Sequence, residues 1–444
     1  MKIKNKQLKS YPFIFIVIIF TFFIYSNHEM EYDYSVLVTN FIIIILSLIF
    51  MVLGDNYNFS LNKVLMLFFF FFFGIAPIIQ YQRGIVLWSY DLYYSSYDYY
   101  RMNVIIILIM ILYQFLYRIF SKFKSSNIEK TILSNNEISF RFISHKKILL
   151  LSFFSTFLII IIFDFSLFNM ILRDGNNILN NSTQILIFNY FIRPIPLICL
   201  IYYKINKKMV SSKISKNELI LWAFALLTNF PTGAPRFYIA ALYIPLLILY
   251  IYRIKKRYLS LNKILIFGLL FVFPFLDQAR SVNSLSELKF GFDFKMFTQG
   301  HFDSYQMFMQ VVNENIITYG NQLLTSFFFF VPRTIWTNKS VGSGMLIANQ
   351  SNFYFNNVSM NFFGEGYINF GYLGIILFLI IISYLNARLD LIYWSDSENS
   401  ANNILYLLSL GLLFFVLRGD LLSGFAFTFG LFISAILVFR IIRV

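Results

Sequence analysis

Six basic residues, Arg193, Arg236, Arg280, Arg333, Lys339 and Arg418, stand beside or between long apolar stretches of a chain in which 13% of residues are charged. The planar fork of arginine gives bidentate, charge-assisted hydrogen bonds to phosphate oxygens. A cation held at membrane depth is a functional candidate by default. Together these residues predict a ligand carrying several negative charges, such as a lipid diphosphate, at the outer boundary of a membrane. Arg193 adjoins Pro194 and Pro196, Arg236 lies on a Pro/Gly break, and Arg333 follows the apolar run Leu323–Val331 and Pro332. Arg280 and Arg418 fall at the ends of apolar segments, where snorkelling to headgroups is the competing role. His301, Asp303 and Glu365 are the groups able to take a proton from a reacting hydroxyl.

Other chemistries find no residues to carry them. Cys199 is the single cysteine and lies in an apolar run, so no disulfide framework or thiolate metal site is expected. His28, His145 and His301 have no metal-ligand spacing. No nucleophile elbow is present, and neither a cofactor nor a metal is expected.

The elements that must position these residues are membrane helices. The chain of 444 residues is 58% hydrophobic, with a mean hydropathy of +0.68, which excludes a soluble enzyme and a disordered tail. A span needs roughly 20 apolar residues. On that measure twelve spans fall near 11–26, 35–54, 64–81, 103–120, 148–168, 185–203, 218–231, 237–252, 263–277, 371–387, 403–418 and 424–440. Twenty-five of the 36 Lys and Arg residues then lie in stretches on one side, which the positive-inside rule makes cytoplasmic, together with both termini. The net charge of +15 is thereby a matter of membrane topology, and nucleic acid is not an expected partner. The first span lacks a small-x-small cleavage site and reads as an uncleaved anchor.

Three regions result: a membrane domain of nine helices over 1–277, a large outer loop with short helices over 278–370, and three C-terminal membrane helices over 371–444. Within the first, 218–252 is a hairpin broken at Asn229–Phe237 by two prolines and a glycine, a break tolerated at membrane depth only when buried or lining a cavity. The run Leu323–Val331 is too short to cross and predicts a helix lying in or on the outer leaflet. The six phenylalanines Phe68–Phe73 read as lipid-facing filler.

The outer loop carries an ordered set of segments: Gly300–Gln306, Phe330–Lys339, Val341–Gly344, Asn357–Ser359 and Gly364–Gly371. This set resembles the Wzy-type O-antigen polymerases, the oligosaccharide repeat-unit polymerases, over about residues 277–374. Arg280 and Arg333 each have a glycine eleven residues on, Gly291 and Gly344, a spacing similar to a motif of periplasmic loops in that family, although here both copies fall in one loop. The resemblance implies an all-α, GT-C-like glycosyltransferase of the bacterial inner membrane with its active site facing the periplasm. It would act in lipopolysaccharide biosynthesis without a metal, in keeping with the lack of an Asp-x-Asp pair in the outer segments. Donor and acceptor would be glycans on undecaprenyl diphosphate, and a chain-length-determining co-polymerase and a flippase would be partners. Arg236, Arg280 and Arg333, supported by Lys339 and Arg193, would clamp the diphosphate, and His301, Asp303 or Glu365 would supply any base. The rival readings are an O-antigen ligase, which shares the architecture, and a lipid-linked oligosaccharide flippase, against which the ninety-residue loop argues.

Overall fold

The computed structural model describes residues 33–122, 143–171, 177–179, 182–206, 214–231, 233, 236–251, 261–272, 294–395 and 402–443. The described chain is all-helical. Its α-helices of seven residues or more are α1 (Tyr34–Leu53), α2 (Leu61–Gln82), α3 (Ser96–Lys122), α4 (His145–Ile162), α5 (Ile195–Asn206), α6 (Lys216–Thr228), α7 (Arg236–Tyr250) and α8 (Leu261–Phe267). They continue as α9 (Ser304–Asn313), α10 (Asn321–Phe327), α11 (Ser343–Gln350), α12 (Phe362–Ser395), α13 (Asn402–Arg418) and α14 (Leu421–Ile442). Among the described residues six of these, α1, α2, α3, α4, α12 and α14, are long and apolar enough to cross a membrane. The expected span at 11–26 lies outside the described residues.

Helix starts follow local chemistry. Asp33, Ser60, Ser144, Ser215 and Asp420 each cap a helix by accepting from a backbone N–H of its first turn, satisfying donors that have no partner within the helix. At the end of the bundle where α1 gives way to α2, the buried Asp390 of α12 accepts from the Leu61 N–H at 2.9 Å, the Tyr117 hydroxyl at 2.8 Å and the Tyr406 hydroxyl at 2.6 Å. Four helices are thereby tied at one carboxylate.

The phenylalanine tract is the main departure from expectation. Phe68–Phe73 are at most 3% exposed, and Phe69–Ile75 form a π-helical turn within α2. Hydrocarbon tails and protein interiors are equally apolar, so composition does not say which one a phenylalanine meets. Here the tract is a hub. Phe72 stacks on Phe302 with ring centroids 4.9 Å apart, Phe69 on Phe363 at 5.5 Å, and Phe73 meets Tyr305 at 6.3 Å. About two turns further on, the Gln80 amide donates to the carbonyls of Phe297 and Phe302 at 2.8 and 3.0 Å. The loop segment around residue 302 is therefore anchored on the centre of the bundle. Phe72→Ala is expected to destabilise the protein by about 3 kcal/mol, the usual loss for a buried phenylalanine. Phe330→Ala, at a ring 56% exposed, should stay within about 0.5 kcal/mol. Thermal melting of the two variants in the same detergent checks the contrast.

Two further expectations change in detail. The run Leu323–Val331 is helical only through Phe327, where α10 ends, and Phe328–Phe330 form a turn. The expected span at 371–387 is the second limb of α12, which breaks at Phe370 and Gly371. Gly371 has φ +63°, a conformation glycine adopts without steric cost. The carbonyls at the break are satisfied from outside the helix: Ile368 accepts from the Thr318 N–H at 2.6 Å and Asn369 from the Gly320 N–H at 2.9 Å. The Asn369 side chain accepts from the Leu323 N–H at 2.8 Å, so the kink also seats the first turn of α10. The 218–252 segment contains α6 and α7, with residues 232, 234 and 235 between them outside the described residues.

Candidate functional site

The segments singled out in the loop converge. Asp303 accepts from the Ser359 backbone N–H at 3.1 Å, Asn361 donates to the Ser304 carbonyl at 2.8 Å, and Ser343 donates to Glu365 at 2.8 Å. Gly344 lies so close to Val358 that a Cβ there would stand 2.1 Å from the Val358 carbonyl oxygen. Beside this junction, where α13 turns into α14, is a cavity of about 530 Å3 whose lining includes Tyr190, Arg333, Lys339, Asn356, Asn357 and Asp420.

The cationic wall of the cavity is one tight loop. Pro332 starts a turn in which the Ile335 and Trp336 N–H groups donate to its carbonyl at 3.1 and 3.0 Å. The Arg333 guanidinium reaches back to the Lys339 carbonyl and to the Ser340 carbonyl, the latter at 2.8 Å. Lys339 Nζ donates to the carbonyls of Phe328, Phe329 and Val331 at 3.0, 2.8 and 2.9 Å. All three ammonium protons are thus spent inside the protein, and Lys339 can act on a ligand only through its charge. Arg333 is exposed and keeps N–H groups beyond the two it uses on the loop. Among the described residues no carboxylate lies within ion-pair distance of either cation. The cavity lining thus carries two positive charges against the single carboxylate of Asp420, a net positive balance that favours an anion.

Burial and the neighbouring Arg333 hold the Lys339 ammonium below the usual lysine pKa. Its charge is therefore lost at a lower pH than that of an exposed lysine, and anion affinity should weaken as the medium becomes alkaline. Sulfate, whose charge is constant over this range, is expected to bind less tightly from pH 8 to 10 in the unaltered protein. In Lys339→Gln binding should be weaker at pH 8 and flat across the range. Isothermal titration at a series of pH values checks both.

Asp303 sits in a different arrangement. It is 1% exposed and accepts from Trp88 Nε1 at 3.0 Å, from the Ser359 N–H and hydroxyl, and from Arg418 at 3.4 Å. Arg418 also donates to the carbonyls of His301 and Gly300 at 2.8 and 3.0 Å. That cluster pins the 300–303 turn to the end of α13. Glu365 is fully buried, accepting from the Leu421 N–H at 2.6 Å and from Ser343. His301, Asp303 and Glu365 are not among the residues lining the cavity.

The remaining predicted cations separate. Arg193 is 6% exposed and donates to the carbonyls of Thr228 at 2.8 Å and Met170 at 3.3 Å, with its guanidinium 5.5 Å from the centre of the Phe163 ring. It closes the break between α6 and α7 by satisfying a carbonyl that the end of α6 leaves open, and it does not line the cavity. Arg236 begins α7, but its side chain lies outside the described residues, as do Arg280 and Gly291 altogether.

Sequence reasoning missed Asp420, the carboxylate that lines the cavity together with the two cations. It precedes α14, where its Oδ1 accepts from the Ser423 N–H at 2.9 Å and from the Ser423 hydroxyl. The signal was present as Asp-Leu-Leu-Ser directly after an apolar segment, but that pattern reads equally as an ordinary helix start.

Compared with protein families, curated proteins and solved structures, the chain matches no family and no curated protein, and its fold matches no solved structure.

Proposed function

We propose that this chain is an oligosaccharide repeat-unit polymerase of the Wzy type, a glycosyltransferase of the bacterial inner membrane with about twelve spans and a GT-C-like arrangement. The observation that carries the reading is the pair of cations, Arg333 and Lys339, which line one cavity of an all-helical protein with no carboxylate within ion-pair distance among the described residues. The order of loop segments around that cavity, which resembles the polymerases, supports it.

In this reading the donor is a glycan on a polyprenyl diphosphate and the acceptor is a single lipid-linked repeat unit. An acceptor hydroxyl attacks the anomeric carbon of the donor's first sugar, and the bond from that carbon to the diphosphate oxygen breaks with its electron pair. Negative charge grows on the diphosphate in the transition state. A preorganised donor aimed at such charge contributes roughly 3–4 kcal/mol. Arg333 would bind the diphosphate through its free N–H groups. Lys339 would add field and hold the loop that carries Arg333.

The test is deletion of the gene in its native host, with surface lipopolysaccharide run on a gel beside a complemented strain. Loss of the ladder with survival of core plus one repeat unit is the expected result. Polymer accumulating on the lipid carrier would make the protein a ligase, units stranded on the cytoplasmic face would make it a flippase, and an unchanged ladder would remove it from the pathway.

A further inference from the structure

A hydroxyl that attacks an anomeric carbon must lose its proton, and the residues first expected to take it are occupied or set apart. Asp303 accepts from Trp88, Ser359 and Arg418, and the buried Glu365 accepts from Leu421 and Ser343. We propose, on the basis of the polymerase reading above, that Asp420 is the catalytic base that accepts this proton.

The geometry divides the Asp420 carboxylate into two halves. Oδ1 is committed to the first turn of α14 through the backbone and hydroxyl of Ser423. Oδ2 has no hydrogen-bond donor among the described residues, and Asp420 lines the same cavity as Arg333 and Lys339. One oxygen fixes the orientation and the other is free to act, which is the division a positioned base requires. Glu365 contributes from behind: it takes the Leu421 N–H, so the two carboxylates satisfy different N–H groups of the same helix start.

Gly342 makes the space. A Cβ at residue 342 would stand 2.2 Å from Asp420 Oδ2. Gly342 has φ −59° and ψ 150°, so the backbone conformation is open to any residue and the demand for glycine is set by the approaching carboxylate alone. The glycine of the Val341–Gly344 segment thereby acquires a reason within the same cavity. Cations and carboxylate then have complementary tasks. The cations draw the electron pair of the breaking bond onto the diphosphate, and the proton of the attacking hydroxyl passes to Asp420 Oδ2 and afterwards to water.

The experiment uses the purified full chain in lipid nanodiscs with a polyprenyl-diphosphate-linked repeat unit, following polymer formed, free polyprenyl diphosphate released and unit bound. Asp420→Asn keeps an equally good helix cap. It is expected to bind the lipid-linked unit within threefold of the unaltered protein and to melt within about 2 °C of it. Its turnover should fall 100-fold or more, in the range general-base catalysis supplies. Gly342→Ala pushes only the flexible end of a side chain, so it should fold normally and lose at least tenfold in turnover. Turnover of Asp420→Asn within threefold of the unaltered protein overturns the assignment. Should Asp420→Asn melt early, Gly342→Ala decides, and unchanged turnover there overturns it as well. An unaltered protein that neither forms polymer nor releases polyprenyl diphosphate overturns the polymerase reading itself, and the assignment with it.

Discussion

Arg333→Ala is expected to abolish the polymer ladder while the protein still accumulates in the membrane at its normal level. The guanidinium is exposed and its two hydrogen bonds go to carbonyls of its own loop, so truncation leaves groups that water can satisfy. The cost in stability should not exceed about 1 kcal/mol. The cost to the reaction is larger because the residue supplies both charge and directed N–H groups to the leaving diphosphate, and loss of one such donor lowers turnover by roughly 10²–10³. Arg333→Lys restores the charge without the fork and should recover only part of the activity. The measurement is polymer per molecule of membrane protein in a strain lacking the native gene. A full ladder from stably expressed Arg333→Ala would remove this residue from the site.

Asp303→Ala should fail in the opposite manner, by loss of the fold. Removing the carboxylate strands the Arg418 guanidinium beside it and leaves Trp88 Nε1 and the Ser359 N–H without their acceptor. Breaking one partner of a buried ion pair typically costs about 3–5 kcal/mol, a large share of the stability of most domains. Low yield and early melting are expected, with activity lost in proportion to folded protein. A double variant, Asp303→Ala with Arg418→Met, removes the orphaned charge and should melt higher than the single one. That recovery separates a residue that positions the 300–303 turn from one that takes part in the reaction, because a reacting group would stay dead in the stabilised double variant.

The helical class and the cationic loop were legible from residue types alone. Arg333 and Lys339 stand out because ions are scarce in this chain and both follow closely on the end of an apolar run. What remained hidden depended on distance in the folded chain. Arg193 carries the same chemistry as Arg333, yet its guanidinium is spent on the Thr228 and Met170 carbonyls, segments more than twenty residues away on either side. Asp420 was concealed by its second role, because a capping aspartate and a reacting one have identical sequence surroundings. Asp303 and Glu365 are candidate bases by residue type, but residue type does not tell whether a carboxylate's hydrogen bonds go to the protein, as these do, or to a substrate.

The π turn of α2 has a bearing on how this chain can change length. A single-turn π segment is an α-helix holding one residue more than its two ends require. The Phe69–Ile75 turn is therefore a reservoir of one residue in the middle of the bundle. Excision of one phenylalanine from the tract lets the turn relax to ordinary α geometry with Lys63 and Gln80 still facing as before. Excision of a second has no slack to draw on and swings Gln80 about 100° around the helix axis, away from the Phe297 and Phe302 carbonyls it now holds. The tract can shorten by one residue and no more without loss of register, at the cost of one buried ring.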